Sequence, residues 1–264
     1  MQLTKTLSTL ALPLLAAGVL FAQQAQQPQP VTKVSLYKVA LDKTDAFIAK
    51  GKLFVPTLDA LFADGTIVSY GIERDYLHVP GATNVVFWYT TADFAGLGKA
   101  DKAIDAFAAK NPQLIADLSG LSDMSAHRDI IVRSPVINTK PSSACMAKFG
   151  IMSIEKLKPG KVQDDVGLFK KYSKDVMDSL LNSGVACAYG YDVEAIHTSA
   201  PGMTYRWIML SDLGSIDKIR AASRAAYQKL SESERNLLEA FDDANYDASA
   251  HRDGLTVVEA YKSK

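Results

Sequence analysis

The spacing of apolar residues changes repeatedly along the chain, and each spacing predicts a different kind of element. Short apolar runs bounded by turn-forming residues are typical of strands. They occupy 34–41, 66–78, 84–91, 129–138, 152–157, 185–197, 203–210 and 254–261. Longer stretches with apolar residues three or four positions apart are typical of amphipathic helices. They occupy 56–63, 97–118, 166–181 and 215–243. The predicted order is β-α-β-β-α-β, and it occurs twice.

Individual residues mark the expected ends of these helices. Gly65 and Gly184 follow helical stripes, where a glycine accepts the left-handed conformation that closes many helices. Asn111, followed by a proline, predicts an N-cap and a restarted helix. Ser231 has a glutamate three residues later, which is the spacing of a capping box.

The strands carry signals of their own. Pro135 lacks a backbone N–H, so it predicts an edge position for the strand 129–138. Gly71 and Gly190, each after a tyrosine within a strand, predict a bulge or a close approach of another group to the backbone. Trp88 and Trp207 fall in corresponding strands, one residue out of register, and we expect them in core or inter-sheet packing.

Three blocks of sequence recur in the same order, which indicates an internal duplication. Residues 58–78 and 177–197 share Asp, Leu, Gly, Tyr-Gly and His at a constant offset of 119. DMSAHRD at 123–129 matches DASAHRD at 247–253 in six of seven positions, at an offset of 124. A Pro-Gly pair recurs between these blocks at an offset of 121. We therefore predict two copies, 31–140 and 148–264, joined by a linker at 141–147.

The order β-α-β-β-α-β is that of the ferredoxin-like unit, whose antiparallel sheet is covered by helices on one face. Two units in one chain can bury their bare faces against each other. The predicted fold is therefore α+β, with two tandem ferredoxin-like repeats packed sheet to sheet. This arrangement resembles the dimeric α/β-barrel superfamily in a single-chain form. NIPSNAP-like, antibiotic-biosynthesis-monooxygenase, EthD and chlorite-dismutase proteins belong there. The resemblance rests on element order and duplication, so it implies a fold and transfers no catalytic residue.

The first 30 residues predict export. Lys5 precedes an apolar stretch at 7–22 whose densest part covers about 13 residues, which suits a secretory signal better than a spanning helix. We expect a signal peptide at 1–22, with an uncleaved N-terminal anchor as the alternative. Residues 23–30 (QQAQQPQP) then form a polar spacer. The predicted location is periplasmic or extracellular, with no stable membrane anchor after cleavage.

Composition narrows the range of partners and of chemistry. The 264 residues carry 29 basic and 29 acidic side chains, and this balance argues against nucleic acid or an anionic membrane as the main partner. Two cysteines are too few for a disulfide scaffold or a Cys-rich metal module. Cys145 and Cys187 form either one bridge or two buried thiols. The motifs HExxH, GxSxG and CxxC do not occur, and the sequence predicts no metal site and no particular cofactor.

All four histidines lie in the repeated blocks, as the pairs His78 with His197 and His127 with His251. A carboxylate follows two residues after each member of the second pair. In an extended chain, residues two apart face the same side, so this carboxylate can orient the imidazole as a general base. Candidate catalytic residues are therefore His127, Asp129, His251 and Asp253. Candidate ligand-binding residues are His78, His197, Arg128 and Arg252, the arginines offering charge to an anionic group.

A structural role competes with the catalytic one in the repeated DxSAHRD segment. Asp123 and Ser125 are typical turn and capping residues, and the arginine and second aspartate can pair with neighbours at the junction of helix and strand.

The function that best fits the sequence is an exported barrel protein that binds a small, apolar or aromatic ligand and is not necessarily catalytic. One alternative is a monooxygenase-like or haem-related enzyme that uses the His/Asp pairs. A second alternative is a structural or interaction protein of the cell envelope.

Overall fold

A computed structural model describes residues 29–79, 81–196 and 201–264. The predicted signal peptide at 1–22, residues 23–28 of the spacer, and His197 lie outside the described residues. The prediction of export therefore stays a prediction.

The first copy has the predicted element order. Its strands are β1 (Val31–Tyr37), β2 (Ser69–Asp75), β3 (Val85–Thr91) and β4 (Arg128–Thr139). Its helices are α1 (Thr44–Gly51), α2 (Val55–Ala63), α3 (Phe94–Lys110) and α4 (Pro112–Leu121). A short 3-10 turn at Lys52–Phe54 separates α1 from α2. Gly65 has a φ of 83°, as expected for the residue that ends a helix in the left-handed region.

The second copy repeats this order. Its strands are β5 (Phe149–Lys156), β6 (Ala186–Ile196), β7 (Met203–Leu210) and β8 (Arg252–Ser263). Its helices are α5 (Val162–Tyr172), α6 (Lys174–Asn182), α7 (Ser215–Lys229) and α8 (Glu232–Asn245). Ser231 and Glu234 form the predicted capping box at the start of α8.

The described strands close into one barrel in the order β1-β3-β2-β8-β5-β7-β6-β4. Each copy contributes four strands, and the copies join where β2 pairs with β8 and where β4 pairs with β6. This is the predicted α+β fold of two ferredoxin-like sheets packed face to face. Strands β2 and β6 lie four places apart in a ring of eight, so they are opposite each other across the barrel.

The side chains of each strand divide between the barrel interior and the helix-covered outer face. Val31 and Tyr89 pack outward with residues of α2 and α3. Ile130, Val132 and Tyr205 form a cluster that joins strands of both copies inside the barrel. The protein therefore has a shared inner core and outer cores beneath the helices.

One prediction about local structure was wrong, and a second was confirmed only in part. Pro135 does not mark an edge, because β4 pairs with both β1 and β6 in a closed barrel. Pro135 lies where the pairing of β4 with β6 is irregular, because the register shifts between Arg133 and Val136. Asn111 is the N-cap residue of α4, and the helix restarts at Pro112 as predicted. Its side chain makes no capping hydrogen bond, because Nδ2 donates to the Phe107 carbonyl of the preceding helix.

Cys145 and Cys187 form a disulfide. Cys145 lies in the predicted linker and Cys187 lies in β6, fully buried in a cluster with Met209 and Tyr261. The bond therefore fastens the connection between the copies to the sheet of the second copy.

The glycines predicted to allow a close approach do so. A Cβ on Gly71 would lie 2.6 Å from Cε2 of Trp88, and a Cβ on Gly190 would meet the indole of Trp207 more closely still. Trp88 pairs with Gly71 and Trp207 pairs with Gly190 in the strand register. The tryptophans are therefore equivalent in the two copies, and the predicted displacement by one residue was wrong. Gly71 and Gly190 are 119 positions apart, and so are Trp88 and Trp207. The offset of 121 for the Pro-Gly pair is therefore confined to the segment between these strands.

We expect Gly71→Ala to lower the free energy of unfolding by about 2 kcal/mol, because the new methyl group displaces a packed indole. The matched control is Gly254→Ala in β8, where a Cβ would meet its nearest neighbour only at 3.9 Å. That change should stay within about 0.5 kcal/mol of the parent protein. Urea unfolding followed by circular dichroism measures both, and equal losses in the two variants would contradict the explanation.

Candidate functional site

A cavity of about 270 Å³ lies between the helices of the first copy and the outer face of its sheet. Strands β1 and β3 provide its floor, and α2, α3 and α4 provide its walls. Most of the lining is apolar. The apolar side chains are Phe54, Leu58, Ile72, Phe87, Ile104, Ala108, Ile115 and Leu118. Pockets for small molecules are typically about 300–1,000 Å³ and mostly apolar with few polar groups, so this cavity suits a small ligand.

Polar side chains are grouped along the β1 side of this cavity. Lys33 Nζ lies 3.0 Å from Asp101 Oδ1 and 3.9 Å from Asp129 Oδ2. The Tyr89 hydroxyl donates to Asp101, and burial together with this carboxylate raises the pKa of Tyr89. Ser35 Oγ donates to Asp129 Oδ1 at 2.5 Å. One lysine therefore stands between two carboxylates at the edge of an apolar cavity.

His127 lines the same cavity, and a backbone carbonyl fixes its tautomer. Its Nδ1 lies 3.0 Å from the Leu36 carbonyl oxygen, which can only accept, so Nδ1 carries the proton. In the neutral ring Nε2 is then the acceptor. The ring stacks on Tyr37 with centroids 4.4 Å apart. Burial raises the pKa of Tyr37 to about 12, with a further contribution from Asp129.

The predicted partnership of His127 with Asp129 is only partly formed. Nε2 lies 3.6 Å from Asp129 Oδ1, which is too long for a hydrogen bond. Both side chains line the cavity, as a joint role requires. The orientation of the imidazole, however, comes from the Leu36 carbonyl.

The equivalent histidine of the second copy has different surroundings. His251 Nδ1 lies 2.9 Å from Glu155 Oε1, and Nε2 lies 3.3 Å from Asp253 Oδ2. The Glu155 carboxylate is the main reason that the pKa of His251 is raised. The ring is 45% exposed and Asp253 is 70% exposed, so this pair forms a surface ion cluster. The two predicted His/Asp pairs thus occupy different environments, and only the first lines the 270 Å³ cavity.

Of the predicted ligand-binding residues that the structure describes, none lines this cavity. His78 lines a separate surface cleft of about 440 Å³ with Lys38 and Asp123. Arg128 is exposed at the start of β4. Arg252 donates to the carbonyls of Ser249 and His251, within its own segment.

The structural role predicted for the DxSAHRD segments is present in both copies. Asp123 accepts from the backbone N–H and the hydroxyl of Ser125, and it forms an ion pair with Lys38 at 3.4 Å. The second copy repeats these contacts with Asp247, Ser249 and Lys156. The first aspartate of each segment therefore ties the junction before the last strand to the first strand of its copy.

An ionic cluster occupies the place in the second copy that corresponds to part of the cavity. Arg206 pairs with Tyr191 in the strand register, as Phe87 pairs with Ile72 in the first copy. Its guanidinium lies 2.8 Å from Asp165, whose side chain is buried, and the Tyr191 and Tyr246 hydroxyls also donate to Asp165. Divergence at this position made one copy apolar and the other ionic.

A second cavity, of about 100 Å³, lies inside the barrel. Its lining includes both tryptophans and two buried carboxylates, Glu73 and Asp192. Sequence reasoning missed both acids, although they keep the offset of 119 that relates the glycines and the tryptophans. It also missed Lys33 and Asp101, for which a single sequence carries no comparable signal.

A comparison with models of known protein families finds no match, and a comparison with the sequences of curated proteins finds none either. Solved structures do match. One is a protein from Fusobacterium nucleatum subsp. nucleatum, provisionally described as a monooxygenase. It is 11% identical with a TM-score of 0.59, and the match covers 89% of this chain and 95% of that chain. An anthrone oxidase-like protein is 8% identical with a TM-score of 0.51, over 90% of this chain and 94% of its own.

These two likenesses extend over almost the whole described chain, and at such low identity they show a shared fold. The chain has the dimeric α/β-barrel fold. A haem-binding protein from Thermus thermophilus is also similar, at 10% identity and a TM-score of 0.46, over 87% of this chain and 91% of its own. The fold implied by the resemblance is confirmed.

The part of the chain that the structure describes contains no group of three or more His, Cys, Asp or Glu side chains arranged to hold a metal ion. None of its helices is both long and apolar enough to cross a membrane.

Proposed function

We propose that this protein binds a small, largely apolar ligand with one polar end in the helix-covered cavity of the first copy. The observation that carries the proposal is the 270 Å³ cavity with mostly apolar walls, where Lys33, Asp101, Asp129 and His127 form a cluster of ionisable side chains. Asp105 of α3, Ser119 of α4 and Ser122, which follows α4, add further polar groups to the lining. Divided by the roughly 30 Å³ that one water occupies in the liquid, this volume suits a ligand of about ten non-hydrogen atoms. Apolar walls supply affinity and the polar edge supplies orientation.

His127 gives this site a proton acceptor. Because Nδ1–H donates to Leu36, the neutral ring presents Nε2 to a ligand hydroxyl at the polar edge. A bound phenol or enol would therefore meet Nε2 as its acceptor and Lys33 as a cation that stabilises the resulting anion. This is the catalytic form of the proposal. It agrees with the alternative of an oxygenase-type enzyme, which the fold of the neighbours supports only at the level of architecture.

Haem does not fit this cavity. The porphyrin macrocycle is larger than the 270 Å³ of this cavity, so the space between the helices and the sheet cannot enclose it. The proposed function therefore includes no haem-dependent step.

The proposal keeps export as the cellular setting. The Cys145–Cys187 disulfide supports it, because structural disulfides persist mainly in oxidising compartments.

The test is the binding of 1-naphthol, a neutral two-ring phenol of suitable size, followed by calorimetry and by the fluorescence of the naphthol itself. Ala108→Phe should weaken binding at least tenfold, because Ala108 lines the cavity and a phenyl ring would fill it. The matched control is Ala109→Phe on the exposed face of the same helix, which should bind as the parent protein does. Absence of saturable binding to the parent protein, or an equal loss in both variants, would refute the proposal.

A further inference from the structure

The barrel interior holds a second site candidate, on the opposite face of the sheet from the helix-covered cavity. Its volume is about 100 Å³, and strands of both copies line it. The chain has two tryptophans, and both border this space.

The two indoles pack against opposite walls of the barrel. The three atoms that a Cβ on Gly71 would meet first all belong to the indole of Trp88, and the same holds for Gly190 and Trp207. Each indole therefore packs directly on the backbone of a glycine in the neighbouring strand, on the side of the sheet that lines the barrel interior. Because β2 and β6 are opposite each other in the barrel, the two indoles border the cavity from opposite sides.

Each indole also positions a carboxylate. Trp88 Nε1 donates to Glu73 Oε1 at 2.6 Å, and Trp207 Nε1 donates to Asp192 Oδ2 at 2.8 Å. Thr256 Oγ1 donates to the other oxygen of Glu73. Asp192 Oδ1 is buried without a partner at hydrogen-bond geometry among the described residues. The exposed fractions of Glu73 and Asp192 are 9% and 7%, so both acids are more than nine-tenths buried.

No positive side chain compensates these acids within the described structure. The lining of the cavity includes no lysine, arginine or histidine, and no ion pair within 4.0 Å involves Glu73 or Asp192. Burial raises the pKa of Glu73, and it raises that of Asp192 to about 7 although Trp207 and the nearby Ser134 oppose the shift. Burying a carboxylate is unfavourable unless a partner compensates its charge.

We propose that the barrel interior binds a small organic cation, namely an alkylammonium ion with about three non-hydrogen atoms. The indole faces attract a cation electrostatically, and tryptophan does so best among the aromatic residues. One ionised carboxylate of the pair is enough to compensate its single charge, and Asp192 Oδ1 offers an acceptor to its N–H groups. One water occupies roughly 30 Å³ in the liquid, so the cavity of about 100 Å³ has room for about three non-hydrogen atoms. A divalent metal ion suits this space less well, because the described residues provide no cluster of three ligating side chains.

The experiment is a titration of the full chain with ethylammonium chloride at pH 8, above the pKa of Asp192, followed by tryptophan fluorescence. Both tryptophans of the chain border this cavity, so their emission responds to its occupant. Trp88 also borders the helix-covered cavity, and the carboxylate variant below distinguishes the two sites. We expect a saturable change and a higher melting temperature. Ethanol, a neutral molecule with the same number of heavy atoms, and potassium chloride at the same concentration should produce neither.

The carboxylates are tested with Glu73→Gln/Asp192→Asn, which keeps side-chain shape and removes two charges. This variant should bind ethylammonium at least tenfold more weakly. The matched control is Asp45→Asn/Asp164→Asn, which removes two charges from exposed side chains and should bind like the parent protein.

Three results would overturn the proposal. They are no saturable response of the parent protein, an equal response to potassium chloride or ethanol, and unchanged affinity in Glu73→Gln/Asp192→Asn. If the double variant does not fold, the comparison of ethylammonium, ethanol and potassium chloride on the parent protein still decides the question.

Discussion

Replacing both cysteines, as Cys145→Ala/Cys187→Ala, is expected to lower the free energy of unfolding by about 4 kcal/mol. The disulfide joins residues 42 positions apart, and a loop of this length restricts the unfolded chain by roughly that amount in the chain-entropy model. The loop encloses β5, α5 and α6, so the unfolded second copy loses the most freedom. Since domains are typically stable by about 5–15 kcal/mol, this bond contributes a large part of the total.

Urea unfolding of the oxidised protein and its variants measures this effect. Cys145→Ala alone breaks the same bond but keeps the buried Cys187 side chain in its cluster. The loss shared by the single and double variants therefore reports the cross-link, and the difference between them reports packing around Cys187. Stabilities of both variants within about 1 kcal/mol of the oxidised parent would contradict the expected role of the disulfide.

The second large effect is expected at Asp165, whose side chain is buried between α5 and the sheet of the second copy. Arg206 Nη2 donates to its two oxygens at 2.8 and 2.9 Å, and the hydroxyls of Tyr191 and Tyr246 donate as well. Asp165→Ala removes the acceptor of all these bonds and leaves a guanidinium without its counter-charge. Breaking one partner of a buried ion pair costs about 3–5 kcal/mol, and we expect about 3 because Arg206 retains some contact with solvent.

A second substitution separates the loss of the ion pair from the loss of packing. In Asp165→Leu/Arg206→Met the charge is removed together with its partner, so at least half of the lost stability should return. The first copy supports this expectation, because Phe87 occupies the place of Arg206 there and packs with Tyr37 and Phe47. Chemical denaturation of the three proteins makes the comparison. A double variant no more stable than Asp165→Ala would show that the cluster is not replaceable by apolar packing.

The repeat explains why so much of the fold was predictable from one sequence. The two copies can be compared with each other. A glycine, a histidine or a capping segment that recurs at a fixed offset marks an equivalent position. The starts and ends of strands were less predictable, since β2 is shorter at both ends than the predicted 66–78. For example, β1 begins at Val31 rather than at residue 34, because Val31 and Thr32 already pair with β3 and β4.

The candidate site was predictable only in part. His127 and Asp129 were identified from their repeated motif, and they do line the cavity of the first copy. The same motif at His251 and Asp253 lies at the surface, because the neighbouring side chains diverged while the motif did not. Phe87 leaves an apolar space in one copy and Arg206 forms an ionic cluster in the other. That difference depends on residues from several elements, so no local pattern predicts it.

The sequence by itself predicted the order of elements and the packing of two sheets against each other, since these follow from apolar spacing and from the internal similarity of the two halves. Only the tertiary structure decided that the barrel closes through the pairs β2 with β8 and β4 with β6. It alone placed two indoles and two acids around one interior cavity. The physical reason is that strand spacing fixes which side of its own sheet a residue faces, whereas a cavity depends on what the opposite sheet brings to meet it.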